Sequence, residues 1–204
     1  MAVRSSFTDP PARIESAAVV RPIAGEIVSG DDAFILEIER GTLAAIVDVL
    51  GHGEEANALA VRIRAFLTGL GSDALVDVLS RLHRECRGSR GAAVGLCFVE
   101  AATGRLRFSG IGNTVFRRFG EVETRLVSRD GTVGGTMRTP VEETLQLSDG
   151  DVIVMNTDGV DSHFPASAYP RLRTDRARTV AATIVYRFGK SHDDASCIVL
   201  RYQR

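Results

Sequence analysis

Short apolar segments joined by tight turns follow one another through most of this sequence. Their alternating pattern and their β-branched residues are typical of strands. The turns between many of them are too short to carry the chain back to a parallel neighbour, so consecutive strands are expected to pair antiparallel. The predicted strands span residues 14–22, 33–38, 43–50, 92–100, 105–109, 115–119, 122–127, 144–147, 152–156 and 195–202.

Three other segments repeat their apolar residues at steps of three and four, the spacing of one face of a helix. Two of them, at 56–70 and 73–88, come together after the third strand, and the third, at 176–188, precedes the last strand. This order does not fit a doubly wound parallel sheet. It predicts an α+β fold in which two packed antiparallel sheets carry helices on their outer faces.

The composition indicates one soluble domain. We expect residues 14–204 to form a single domain after a flexible lead-in at 1–13, where Pro10 and Pro11 disfavour helix and strand. With 25 basic and 26 acidic residues the net charge is −1, which gives no electrostatic reason for a nucleic-acid or membrane partner. Neither a membrane span nor a secretion signal is recognisable, and a cytoplasmic location is expected.

Four acidic segments lie beside the ends of predicted strands. Carboxylates gathered at strand ends are typical of sites for hard divalent cations. Asp48 lies at the end of an apolar strand, where its carboxylate can bridge two cations and the carbonyl of Val49 can add another oxygen ligand. Oxygen donors favour magnesium or manganese over zinc. The segments are GDD at 30–32, DVLGHG at 48–53, NTDG at 156–159 and SHDD at 191–194.

Three of these segments together resemble a known family of enzymes. DVLGHG at 48–53, NTDGV at 156–160 and HDDASCIV at 192–199 are similar to the type 2C metal-dependent protein phosphatases, and within them to the SpoIIE-like branch. The similarity extends from about residue 14 to residue 202. It implies a four-layer αββα sandwich with a binuclear manganese or magnesium centre that hydrolyses phosphoserine or phosphothreonine in proteins.

The resemblance also implies a role for each acidic residue at the metal centre. Asp48 is expected to bridge two Mn²⁺ or Mg²⁺ ions, and the Val49 carbonyl to bind one of them. Asp158 and Asp193 are expected to hold the other ion. Whether Asp193 or its neighbour Asp194 is the ligand stays open at this point.

Other positions concern the attacking water, a third metal and the phosphate. Asp32 is expected to orient the attacking water, with Asp31 beside it. Asn113 stands where many members of the family carry an aspartate associated with a third metal, and an amide there would bind a cation less well. The arginine that binds phosphate in eukaryotic relatives has no counterpart before the GDD segment. Arg21 and Arg117 are the possible substitutes.

The partner prediction comes from two further segments and from the short length. FSGIGN at 108–113 and GTVGG at 131–135 are similar to the RsbX-type phosphatases of the bacterial stressosome. The similarity implies that the STAS-domain proteins RsbS and RsbR are dephosphorylated as negative feedback on stress signalling. An RsbU- or SpoIIE-type phosphatase of an anti-anti-sigma factor, and a catalytically inactive partner-binding module, remain alternatives. A monomer is expected.

Overall fold

Ten strands and three α-helices make up the regular structure. The computed structural model describes residues 12–161 and 163–204. The strands are β1 (Arg13–Arg21), β2 (Asp31–Ile38), β3 (Gly41–Val49), β4 (Ala92–Glu100), β5 (Arg105–Ile111), β6 (Val115–Phe119), β7 (Glu123–Val127), β8 (Glu143–Gln146), β9 (Val152–Asn156) and β10 (Ala195–Gln203). The helices are α1 (Gly53–Leu70), α2 (Leu75–Glu85) and α3 (Ala177–Phe188).

The strands form two five-stranded sheets, and every pairing between named strands is antiparallel. One sheet has the order β1-β10-β9-β6-β7, and the other has the order β2-β3-β4-β5-β8. Helix α3 packs on the first sheet, while α1 and α2 pack on the second. The predicted α+β architecture with αββα layers is therefore confirmed.

Three apolar clusters hold the layers together. One lies between the two sheets, and each of the others lies between a sheet and its helices. Residues of β3 contribute to both sides of their sheet: Ala44 and Ile46 face the other sheet, while Ala45 and Val47 face the helices. Each fully buried aliphatic side chain of this kind contributes about 1.5–3 kcal/mol. The prediction that the third strand is covered on both faces is correct.

The boundaries of the elements agree with the predictions to within a few residues, with one difference that matters for the site. Strand β2 begins at Asp31, two residues before its predicted start. Most of the predicted lead-in at 1–13 falls on residues 1–11, which lie outside the described residues, and the single domain at 14–204 stays a prediction. None of the helices described in the structure is long and apolar enough to cross a membrane.

Candidate metal centre

A cleft of about 460 Å³ opens at one end of the layer between the two sheets. Its walls come from strand ends and turns of both sheets. Five carboxylates line the cleft, and within residues 12–161 and 163–204 no lysine or arginine side chain lines it. The five carboxylates belong to Asp31, Asp48, Asp158, Asp193 and Asp194.

Strands β2 and β3 deliver two of these carboxylates. Ala33 on β2 and Ile46 on β3 both point between the sheets. Because side chains alternate along a strand, Asp31 lies on the same face as Ala33, and Asp48 on the same face as Ile46. Asp31 and Asp48 are direct partners in the β2–β3 register, so two acidic side chains lie side by side at the end of the sheet.

The other sheet supplies Asp158 from the turn after β9. A Cβ added to Gly159 would lie 1.7 Å from the carbonyl oxygen of Asp194, so only glycine lets this turn pack against the start of β10. The side-chain amide of Asn113 donates a hydrogen bond of 2.7 Å to Asp158 Oδ2. Asn113 therefore positions the Asp158 carboxylate within the cleft.

Asp193 and Asp194 differ in what their carboxylates bind. Asp194 Oδ1 accepts a hydrogen bond of 2.7 Å from the amide of Ile23, and its Oδ2 accepts one of 2.7 Å from the amide of Gly30. Asp194 therefore clamps the segment that leads into β2. Asp193 accepts a hydrogen bond from the backbone of Asp194 and is half-buried. Because both oxygens of Asp194 already have N–H donors, Asp193 is the better candidate ligand.

Burial and repulsion between like charges raise the pKa values of three of these carboxyls. The pKa of Asp48 rises to about 7, first through burial and then through neighbouring negative charges, of which Asp158 has the largest effect. Burial and Asp48 raise the pKa of Asp31 well above its ordinary value. Burial and Asp158 also raise the pKa of Asp193. A set of repelling carboxylates fits hard divalent cations, which compensate the charge and prefer oxygen ligands.

The structure corrects the placement of Asp32, which was expected to orient the attacking water. Asp32 shares the face of Phe34, toward α1, and is not among the residues that line the cleft. Its two carboxylate oxygens bind the guanidinium of Arg64, with 2.6 Å between Nε and Oδ2. The family resemblance alone suggested Asp32, and because the strand was predicted to begin after both aspartates, alternation was not applied to them. Extending the alternation of Ala33 by two residues selects Asp31 instead.

Asp31 is therefore the residue of the GDD segment that reaches the cleft. The hydroxyl of Thr157 donates a hydrogen bond of 2.6 Å to Asp31 Oδ2, and the amide of Ser196 donates one of 3.0 Å to the same hydroxyl oxygen. This chain of hydrogen bonds joins the two sheets directly behind the carboxylates. Neither Thr157 nor Ser196 was singled out from the sequence, because a hydroxyl buried between strands has no distinctive sequence pattern.

The other predicted ligand, Val49, is the last residue of β3, and it lines the cleft. His52 and His192 also line the cleft, and both are exposed. His52 Nδ1 lies 3.2 Å from Glu26 Oε1, which holds its ring at the start of α1. The histidines therefore lie at the mouth of the cleft.

The predicted ligands Asp48, Val49, Asp158 and Asp193 thus lie around one cleft. Among the described residues, no group of three His, Cys, Asp or Glu side chains is already arranged to hold a metal ion. The negative charge of Asp158 instead helps to raise the pKa of Asp48. The assignment of these residues as ligands stays a prediction.

The two arginines predicted as phosphate ligands have other contacts. Arg117 is 1% exposed and lies between the rings of Phe119 and Phe164, with its guanidinium carbon 4.5 Å from each ring centroid. Arg21 donates hydrogen bonds to the carbonyls of Lys190, Asp193 and Pro22. Neither arginine lines the cleft. Arg117 stabilises the core, and Arg21 holds the loop that carries Asp193.

Comparison with known proteins assigns this arrangement to a family. The model of the family described as Stage II sporulation protein E (SpoIIE) matches residues 38–203. The chain belongs to the SpoIIE family. The matched range includes three of the four acidic segments, those at 48–53, 156–159 and 191–194. This SpoIIE-family chain therefore has a PP2C-type phosphatase domain. No curated protein sequence matches it.

Solved structures similar to this SpoIIE-family chain share its fold over nearly all of its length. One of them comes from work that describes the bacterial stressosome as a modular system adapted to control secondary messenger signalling. It is 26% identical to this chain with a TM-score of 0.85, and the match covers 93% of this chain and 100% of that one. The structure of RsbX in complex with magnesium is 17% identical to this chain with a TM-score of 0.82, and the match covers 96% of this chain and 98% of that one. The structure of the PP2C domain of SpoIIE from Bacillus subtilis, with a fragment of its regulatory domain, is 17% identical to this chain with a TM-score of 0.79. The match covers 94% of this chain and 62% of that one.

Proposed function

We propose that this protein is a metal-dependent phosphatase that hydrolyses phosphoserine and phosphothreonine in proteins. The observation that carries the proposal is the convergence of five carboxylates from both sheets on one cleft. Such a cluster is costly for the fold, because burial and like charges both oppose ionisation. A site that binds cations and a phosphate monoester would explain why the protein has such a cluster despite its cost.

Two divalent ions fit the chemistry of the residues in the cleft. Bound there, Mn²⁺ or Mg²⁺ would neutralise phosphate oxygens and lower the pKa of a water molecule enough to make it a nucleophile at neutral pH. Asp48 would bridge the pair, with the Val49 carbonyl as a ligand of one ion. Asp158 and Asp193 would bind the other ion.

Asp31 lines the cleft beside Asp48, which supports a role for it in handling the attacking water. Its Oδ2 is fixed by the Thr157 hydroxyl at 2.6 Å, so the carboxylate has a defined orientation in the cleft. We assign to Asp31 the role of orienting the water and accepting its proton. Water attacks phosphorus, the bond between phosphorus and the serine or threonine oxygen breaks, and that oxygen takes up a proton. Inorganic phosphate and the free hydroxyl are the products.

The proposed substrates are phosphorylated STAS-domain proteins of the RsbS and RsbR kind, dephosphorylated as feedback on stress signalling in the cytoplasm. Support comes from the neighbour described in the stressosome study, because it is the most similar in sequence of the structures compared above and its whole length is covered. The RsbX structure, which also matches over almost its whole length, has the same fold. An exposed cleft at the end of the sandwich can admit a side chain from a folded partner.

The test is phosphate release from three purified phosphoproteins compared side by side: RsbS, RsbR and an anti-anti-sigma factor. We expect release that requires Mn²⁺ or Mg²⁺, is abolished by EDTA, and is fastest with RsbS or RsbR. Faster release from the anti-anti-sigma factor would instead identify an RsbU- or SpoIIE-type role. The general proposal of a phosphatase would survive that outcome, while the proposed partner would not.

A catalytically inactive binding module is the alternative from another class. It predicts no phosphate release from any of the three phosphoproteins. It also predicts that calorimetric titration with Mn²⁺ gives no heat of binding. Both results together would contradict the proposed function.

A further inference from the structure

In the described part of the chain, no lysine or arginine side chain lines the cleft that would hold the metals. A phosphate monoester carries up to two negative charges, and five carboxylates surround the place where it would react. Metal ions offset part of this charge, but they do not orient the phosphate oxygens that face away from them. A planar guanidinium is well suited to that task, because it can donate two parallel hydrogen bonds to a phosphate. The two arginines considered from the sequence are both engaged elsewhere.

A third arginine, Arg90, lies in the turn between α2 and β4 and contacts the wall of the cleft. Its NH1 donates a hydrogen bond of 3.0 Å to the carbonyl of Leu50. The backbone of Gly51 turns there with a φ of +86°, and a Cβ on Gly51 would lie 2.8 Å from Arg90 NH1. Leu50 and Gly51 both line the cleft and directly follow the predicted ligand Val49. The guanidinium is therefore held against the chain that supplies the metal centre.

The Arg90 side chain also lines a shallow groove that continues from the cleft. The groove and the cleft have Leu50, Gly131 and Thr132 in common. A phosphorylated side chain entering the cleft from this direction would pass the guanidinium. The position of Arg90 thus differs from that of Arg21, which lies behind the loop carrying Asp193.

The present partner of Arg90 is one that a phosphate can replace. Its NH2 is hydrogen-bonded to Glu55 on the first turn of α1. The side chain of Glu55 is 85% exposed, whereas that of Arg90 is 32% exposed. Exposed ion pairs of this kind contribute little to stability, so exchanging this carboxylate for a doubly charged phosphate costs little.

We propose that Arg90 binds the phosphate group of the substrate at the mouth of the metal centre. The hydrogen bond to Leu50 keeps the guanidinium beside the cleft, and the side of it that now contacts Glu55 binds the phosphate oxygens instead. This assignment rests on the proposed function, since it supplies the anion contact that the predicted ligands do not provide. It makes Arg90 a substrate-binding residue at a position that no sequence motif marks.

Binding of inorganic phosphate tests the assignment without requiring turnover. Calorimetric titration in the presence of Mg²⁺ should show that Arg90→Ala binds phosphate about 10- to 100-fold more weakly than the wild-type protein, the range for loss of a hydrogen bond to a charged group. Arg90→Lys should recover only part of the affinity, because an ammonium is not bidentate. Glu55→Gln should bind phosphate more tightly than wild type, because it releases the guanidinium.

Two control variants separate this role from a general loss of positive charge. Arg81→Ala removes an exposed arginine of α2 that pairs with Asp77 across 3.8 Å, and it should bind phosphate like the wild type. Lys190→Ala tests the other cation near the cleft, whose charge lowers the pKa of Asp193. Loss of phosphate binding in Lys190→Ala with full binding in Arg90→Ala would overturn the assignment. So would failure of the wild-type protein to bind phosphate.

Kinetics with a phosphorylated substrate then give a second readout. Arg90→Ala should raise KM by more than it lowers kcat, with the melting temperature close to that of the wild type. Equal affinity of Arg90→Ala and wild type for phosphate contradicts the role of Arg90 whether or not the protein is a phosphatase. If phosphate binding requires Arg90 but no phosphoprotein is hydrolysed, the assignment stands and the proposed function fails.

Discussion

The two ends of the sandwich differ in whether their buried charged groups have partners within the protein. At the far end of β10, Arg201 is 6% exposed and donates hydrogen bonds to the carbonyls of Leu172, Arg173 and Asp175. Its Nε also lies 3.5 Å from Glu15 Oε2. At the near end, about seven residues or ~23 Å away along the strand, the carboxylates of the cleft repel one another. One end satisfies its charge within the protein, and the other does not.

The difference indicates which charged cluster serves the fold and which serves function. Arg201 and its partners join β10 to the segment before α3, so the cluster stabilises the packing of that layer. The carboxylates of the cleft raise one another's pKa values and gain nothing from their own proximity. Their arrangement becomes favourable only when a cation binds. Mutations at the two ends should therefore separate activity from stability.

The largest effect should follow from removing Asp48, the proposed bridging ligand. Asp48→Asn keeps the shape of the side chain but removes its charge, and we expect phosphatase activity to fall about 1,000-fold or more, since metal ions supply several kcal/mol of transition-state stabilisation. The measurement is phosphate release at saturating Mn²⁺. The variant should remain folded by circular dichroism. Full activity of Asp48→Asn would remove the basis for the site assignment.

At the opposite end, Arg201→Met should reduce stability rather than activity. The substitution leaves the buried carbonyl of Leu172 and the partly buried carbonyls of Arg173 and Asp175 without their donor, and Glu15 without its partner. We expect the free energy of unfolding to fall by about 2–4 kcal/mol. Urea unfolding measures this loss, and calorimetry with Mn²⁺ serves as the control. A change in metal affinity with unchanged stability would show that the two ends are coupled.

The adjacent residues Asp31 and Asp32 allow the same separation of activity from stability to be tested at neighbouring positions. Asp31→Asn should lower activity about 100-fold, the lower end of the range expected when a residue that handles a proton is lost. Asp32→Asn should leave activity intact and reduce stability by about 1 kcal/mol, because its charged contact is with Arg64. Parallel assays of activity and thermal unfolding distinguish the two. The reverse pattern would restore the role first expected for Asp32.

The smallest effect is a change in the pH dependence of stability. A carboxyl whose pKa is higher in the folded than in the unfolded protein binds more protons when folded, so stability falls as the pH rises between the two values. For Asp48 this window runs from the ordinary 3.8 to about 7. In EDTA the wild-type protein should therefore lose stability from pH 4 to pH 7, and Asp48→Asn should lose less. Parallel curves for the two proteins in thermal unfolding would contradict this.

Most of the fold was predictable because it depends on local patterns. Alternation identified the strands, and a repeat of three and four residues identified α1, α2 and α3. The apolar character of β3 correctly indicated burial on both faces. The pairing of non-consecutive strands, such as β1 with β10 and β6 with β9, was not predicted in detail. It depends on contacts between residues far apart in the chain, which local patterns do not specify.

For the site, the sequence indicated which carboxylates belong together but not what each one contacts. Asp48, Asp158 and Asp193 were selected by their motifs, and the structure brings all three to one cleft. Asp32 was chosen over Asp31 from the family resemblance, and with the start of β2 predicted two residues late, strand alternation did not reach the two aspartates to separate them. An error of that size changes which face of a strand a side chain occupies.

The sequence by itself determined the order of the elements and the acidic residue types, because alternation, helical repeat and motif are local properties of the chain. The tertiary structure decided what those residues do. The β2–β3 register sets Asp31 beside Asp48 and turns Asp32 toward Arg64. Packing of α1 and α2 against the sheet brings Arg90 to Leu50, 40 residues away. Such contacts follow from how distant segments pack, so they cannot be derived from any one segment alone.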